Sequence, residues 1–165
     1  MDRCDECGFA YDEAKAQQAA GAIRAGADAI AALLVGTGGP VSKRADSAVW
    51  SPLEYACHVR DVLLVQRERV LLARRSERPT PEPMGRDERV DHDGYSAQAV
   101  EAVARQLTDA ALLFANVLDR LDRLSWDRTI VYNYPSPQER TLRWVAVHTV
   151  HEVTHHLADV RRQIR

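Results

Sequence analysis

Three cysteines in 165 residues are too few for a disulfide framework, which excludes the small stapled scaffolds of secreted proteins. Nor is there a surplus of charge. Lys and Arg number 22 against 24 Asp and Glu, a net −2. Nucleic acid and anionic membrane surfaces both demand a strong basic excess, so neither is expected as a partner. The arginines that do cluster, Arg67, Arg69, Arg74, Arg75 and Arg78, lie beside Glu68 and Glu77 and read as a solvated helix face. No stretch approaches the ~20 apolar residues of a membrane span. The opening MDRCDECGFAYDEA is polar and acidic where a secretory leader is apolar, so a cytoplasmic location is expected. Runs of β-branched residues are scarce, whereas alanine and leucine abound. That balance favours an all-α fold, and the length suits one domain with a real core.

Periodicity predicts four long helices. The first runs from about Asp12 to Leu34 and ends at Gly36, Gly38, Gly39 and Pro40, which cannot continue it. Its internal Gly21 and Gly26 suggest close approach of a neighbour. The second begins at Ser51-Pro52-Leu53-Glu54, an N-cap serine, a proline at the first helical position and a capping-box glutamate, and continues to about Arg75. Apolar residues cover most of its circumference, Cys57 among them, so it should be central and Cys57 a core residue. A proline-rich, charged crossing over residues 76–95 reads as a surface loop. The third helix, capped by Ser96, reaches about Leu121. A short hairpin-like excursion follows, with a strand at Thr129–Tyr132 and a turn at Pro135 and Pro137. The fourth helix runs from about Thr141 to Ile164. The architecture expected is a four-helix bundle with a long crossing between helices 2 and 3, residues 1–10 forming a separate N-terminal extension to the bundle of residues 11–165.

The last helix contains HTVHEVTHHLADV (148–160), which holds four of the six histidines. On a wheel of about 100° per residue, Leu142, Val145, Ala146, Val153, Leu157, Val160 and Ile164 centre the apolar face. His156 lies about 70° and Glu152 about 110° from that centre, on one flank. His148 continues the flank further out, and His151 and His155 point toward solvent. Glu152 and His156 are four residues apart, the spacing that stacks two donors over one ion. The other helical histidine is His58, amid apolar residues two turns into the second helix. Two imidazoles and a carboxylate suit Zn²⁺, Ni²⁺, Fe²⁺ or Mn²⁺ and leave positions open for water or substrate. An exposed polar Glu/His contact is the competing reading. His151-Glu152-x-x-His155 matches the zinc-protease H-E-x-x-H, but its histidines fall on the outward side, and the chain lacks the sheet-and-helix pattern of such enzymes.

Cys4-x-x-Cys7-Gly8 can place two sulfurs on one zinc, with His92, His151 or His155 as completing ligands. A reversible redox pair and no special role are the alternatives.

The stretch from Trp50 through His58 to Arg69, together with TLRWVAVHTVHEVTHHLADVRRQI, resembles the DinB-like superfamily from about Tyr11 onward. The resemblance implies a bundle binding a divalent metal through one ligand on helix 2 and two, four apart, on the last helix. Carried over by position, these are His58, Glu152 and His156. Glutamate in the middle place is similar to the mycothiol-dependent maleylpyruvate isomerase branch and its thiol-transferase relatives. It implies a low-molecular-weight thiol as co-substrate, a small electrophile as substrate and a homodimer. A non-catalytic stress-response or redox-sensing module is the other function such a chain could serve. Arg143, Asp159, Arg161 and Tyr132 are candidates for assisting roles, with surface or packing duty as the alternative. The CxxC lies outside the family pattern.

Overall fold

In the computed structural model, which describes residues 3–133 and 136–164, the first helix opens as a 3-10 segment over Glu13–Gln18. Asp12 caps it, accepting from the Ala14 N–H at 3.1 Å. It continues as α1 (Ala19–Gly36), with Ile23, Ala27, Ile30 and Leu34 buried. The Glu13–Gly36 stretch is apolar and long enough to cross a membrane, contrary to the expectation from the sequence. Its alanines and interspersed isoleucines raise the mean hydropathy without forming one continuous apolar run.

Helix α2 (Pro52–Arg75) starts as its sequence dictates. The Ser51 hydroxyl accepts from the Glu54 N–H at 3.2 Å, and the Glu54 carboxylate accepts from the Ser51 N–H at 2.8 Å. Arg44 then clamps the buried Glu54 through two bonds of 2.7 and 2.8 Å. A charge-assisted fork of this kind fixes the start of the helix, and with it the azimuth of His58 two turns on. Cys57 is fully buried, and burial pushes its thiol pKa up to about 12. Arg69 corrects the reading of a solvated arginine face. It is buried, donates to the Glu82 carbonyl at 3.2 Å and lies over the Tyr132 ring at 4.9 Å.

The crossing after α2 is more structured than a plain loop. It holds a short helix α3 (Arg86–His92) and a 3-10 turn at Tyr95–Ala97. Tyr95 is fully buried, its hydroxyl donating to Asp61 at 2.6 Å, so one aromatic pins the connection to α2. This displaces the expected Ser96 cap: Ser96 sits inside the turn, and α4 (Val100–Asp119) begins after Ala99 with no side-chain cap. A single-turn helix α5 (Arg123–Trp126) leads into strands β1 (Thr129–Tyr132) and β2 (Gln138–Thr141), paired antiparallel with Thr129 opposite Thr141. Of the predicted turn, Pro135 lies outside the described residues. Thr141 caps the final helix α6 (Leu142–Gln163), accepting from the Trp144 N–H at 3.0 Å.

The four long helices form the expected bundle, with α1 and α2 each packing against both α4 and α6. Helices adjacent in sequence, α1 and α2, lie across the diagonal. That wiring sets α2 directly beside α6. On the other side of α6, α1 approaches closely at Gly26, where an added Cβ would stand 2.4 Å from Val153 Cγ1. Gly21 has open space around it and serves no such purpose.

Gly26→Ala is therefore expected to destabilise the protein by about 1–3 kcal/mol through overpacking, although the same change in an exposed helix would gain up to about 1 kcal/mol. Thermal melts of Gly26→Ala, Val153→Ala and the double variant should show that Val153→Ala relieves part of that loss. An unchanged or raised Tm for Gly26→Ala alone would contradict the close packing.

Candidate metal centre

Helices α2 and α6 bring His58, Glu152 and His156 together. One donor atom from each lies within 4.8 Å of the other two. Glu152 Oε2 stands 3.9 Å from His58 Nε2 and 3.8 Å from His156 Nε2. Donors on a tetrahedral ion with bonds of about 2.1 Å are about 3.4 Å apart, so the carboxylate need close only about half an ångström toward each imidazole to share a cation with them. The two imidazoles meet edge to face at 5.0 Å between ring centres. Trp50 lies 5.2 Å from the His58 ring, and Tyr55 stacks on His156 at 5.2 Å. His58 is almost wholly enclosed, whereas the Glu152 and His156 side chains retain 20% and 15% exposure. The open side of the cluster therefore faces away from the bundle axis, toward solvent.

The electrostatics follow from burying one carboxylate among imidazoles. Burial alone would raise the pKa of Glu152, but His151, His156 and His58 around it hold it well below the usual carboxylate range. His58 goes the other way: desolvation lowers its pKa despite Glu152 beside it. His156 is also desolvated, but its Nδ1 lies 2.8 Å from Asp159 Oδ2, and with Glu152 this lifts it to about 9. Asp159 thus holds the His156 ring with Nε2 turned toward Glu152, the carboxylate–imidazole support that metal-binding histidines commonly use. Of the four assisting candidates it alone touches the cluster. Arg143 pairs with Asp127 at 2.9 Å and Arg161 is exposed. Tyr132 is buried, its hydroxyl accepting from Gln66 Nε2 at 2.8 Å and its ring set edge-on to His148.

The expectation that His151 and His155 point toward solvent is overturned, and His148, expected further out on the flank, is enclosed as well. His148 and His151 are buried, and the His155 side chain is 16% exposed. The wheel took the bundle core as the one apolar environment, but the segment before α1 folds back over the other side of α6. Tyr11 lies between two of these histidines, its hydroxyl 3.2 Å from His148 Nδ1 and 2.9 Å from His151 Nδ1. Phe9 packs on His151 with ring centres 5.3 Å apart. Trp144 stacks on His148 at 4.6 Å, and burial drives the His148 pKa down to about 4. Tyr11, Phe9 and Trp144 are site neighbours that sequence reading missed.

The geometry of the CxxC falls beside these histidines. Cys4, Cys7, His151 and His155 offer one donor each, all within 4.8 Å of one another. His92, the third histidine considered for the cysteines, is exposed at the end of α3 and belongs to no such group among the described residues.

Comparison with known proteins agrees with this architecture. The family model of the DinB superfamily matches residues 15–160. The chain therefore belongs to the DinB superfamily. Among solved structures it is similar to YfiT from Bacillus subtilis, described as a probable metal-dependent hydrolase with an unusual four-helix bundle topology. The TM-score is 0.78 at 14% identity, over 98% of this chain and 90% of that one. At this identity the likeness establishes the fold. No curated protein matches the chain.

In metal-free protein the raised pKa of His156 makes a testable contribution to stability. Because the folded value exceeds the 6.5 of an ordinary histidine, the stabilisation is complete below pH 6.5 and disappears as pH rises through about 9. Melts of chelator-treated wild type should lose Tm over that window, and Asp159→Asn should flatten the loss. An Asp159→Asn profile superimposable on wild type would show that Asp159 does not hold the proton on His156.

Proposed function

We propose that this DinB-superfamily protein is a metal-dependent enzyme that activates a low-molecular-weight thiol of the mycothiol type for attack on a small electrophile. His58, Glu152 and His156 would hold the divalent cation, Zn²⁺ ahead of Ni²⁺, Fe²⁺ or Mn²⁺. The observation that carries the reading is the convergence of three donors from two helices on one point, two of them partly exposed on the same side. The donor set fits the ion: a carboxylate already ionised and two imidazoles, one enclosed and one held by Asp159. Three protein donors leave coordination free, as in catalytic rather than structural sites. When bound, the cation lowers the pKa of a coordinated thiol or water, so that a nucleophile exists at neutral pH.

The chain's own residues supply the rest. Asp159 fixes the tautomer and direction of His156 through Nδ1. Trp50 and Tyr55 flank the two imidazoles and give an apolar wall against which a small organic electrophile can desolvate. Hydrolysis, with water in place of the thiol, is a second reading, favoured by the fold likeness to YfiT. A non-catalytic metal-binding module is a third, and a closed coordination shell would favour it. The proposed setting is cytoplasmic, with thiol and electrophile as partners and a homodimer as the assembly.

Cobalt substitution separates these readings. The visible spectrum of the Co²⁺ protein should change on titration with a low-molecular-weight thiol, and His156→Ala should abolish the change. Retention of metal with no response to any biological thiol would overturn the thiol reading. A response to none, with cleavage of activated esters lost in His156→Ala, would establish hydrolysis. Asp159→Asn should weaken cation affinity about 10–100-fold, the usual effect of removing a carboxylate behind a histidine ligand.

A further inference from the structure

The CxxC and the far face of α6 form a second group of donors that the proposed reaction does not use. Cys4, Cys7, His151 and His155 each contribute one atom, all mutually within 4.8 Å. Their spacing is C-x2-C and H-x3-H, the latter on a helix, the pairing of a turn and a helix found in Cys₂His₂ zinc sites. Local structure suits the role. The Gly8 N–H donates to the Cys4 carbonyl at 2.9 Å, and the Cys4 N–H donates to Phe9 at 2.9 Å. Gly8 adopts φ +71, which only glycine takes without strain. The result is a tight turn whose two sulfurs lie near each other and near the two histidines, and the thiols are free.

The histidines are oriented from behind. His151 Nδ1 is engaged by Tyr11 at 2.9 Å, while its Nε2 is buried with no hydrogen-bond partner among the described residues. An imidazole nitrogen left bare inside a protein is costly unless something occupies it. If His151 Nδ1–H donates to Tyr11, the Tyr11 hydroxyl can donate in turn to His148 Nδ1. That leaves the lone pair of His151 Nε2 free. His155 turns Nδ1 toward Cys4 Sγ at 4.0 Å, with Nε2 facing Glu6 at 3.3 Å and Asp159 at 3.7 Å. His155 thus has acidic partners on one nitrogen and Cys4 on the other, and His151 has Tyr11 on one nitrogen and a free, buried Nε2 on the other, the arrangement that fixes metal ligands.

We propose that Cys4, Cys7, His151 and His155 bind a structural zinc ion that fastens the N-terminal segment to the back of α6. Four protein donors close the shell, so this ion holds structure and takes no substrate. On binding, the two thiols lose their protons to solvent as the Zn–S bonds form. The zinc also explains how the cysteine turn stays ordered over His151 of α6: a metallic tie offsets the ordering entropy of residues that contribute little apolar area.

Reduced, metal-stripped protein reloaded with Zn²⁺ should hold two equivalents per chain by elemental analysis, and Cys4→Ser/Cys7→Ser should hold one. With Co²⁺ and no added thiol, wild type should show thiolate-to-cobalt charge-transfer absorption in the near ultraviolet. His155→Ala should diminish it, whereas His58→Ala and His156→Ala should leave it intact. That last comparison separates this site from the one proposed above. Alkylation of Cys4 and Cys7 should slow roughly tenfold or more when zinc is present. Circular dichroism confirms that the serine variant keeps its helices. Equal alkylation rates with and without zinc, absence of the charge-transfer band, or a Cys4–Cys7 disulfide as the sole stable state would each overturn the proposal.

Discussion

A single half-buried carboxylate organises this protein. Glu152 lies among four imidazoles, with oxygen-to-nitrogen distances of 3.9 Å to His58, 3.8 Å to His148 and His156, and 3.5 Å to His151. An isolated charge removed from water costs several kcal/mol, so Glu152 can be ionised there only if proton donors or a cation surround it. That requirement accounts for the density of histidine on α6. It also accounts for the care taken over the start of α2, where Ser51, Glu54 and Arg44 fix the first turn and so deliver His58 to the correct side.

Helix α6 is consequently used on two sides. One flank meets α2 and forms the His58/Glu152/His156 cluster. The other meets the segment around Phe9 and Tyr11, where His148, His151 and His155 are covered. Asp159 belongs to both, 2.8 Å from His156 Nδ1 and 3.7 Å from His155 Nε2. Tyr11 joins the flanks from the far end, since it touches His148 and His151, and both approach Glu152. An exposed helix would have no use for so many titratable groups facing inward.

Much of this was legible in the chain itself, for identifiable reasons. The S-P-L-E cap of α2 is a local hydrogen-bond device, complete within four residues, and it formed as read; the last helix likewise begins at Thr141, near where its pattern places the start. Glu152 and His156 could be placed because their inward direction is set by the same wheel that sets the core. His151 and His155 could not, because their burial depends on a segment some 140 residues away folding across them, and a helical wheel contains no information about what lies on its far side. Ser96 failed as a cap for a similar reason: Tyr95 next to it is drawn into the core by Asp61, which turns Ser96 out of the capping position. The arginine run misled at Arg69 because charge alone does not reveal a tyrosine face and a backbone carbonyl waiting for a guanidinium.

The diagonal placement of α1 and α2 has a kinetic meaning. Most up-and-down bundles contain at least one pair of consecutive helices that can zip together across a short link. Here α1 and α2 barely touch, and α2 reaches α4 only across the long crossing that carries α3. No autonomous helical hairpin is available as a nucleus. Productive collapse must instead close the crossing of residues 76–99 or bring together helices still further apart in sequence, and such topologies assemble more slowly than helix content alone would suggest.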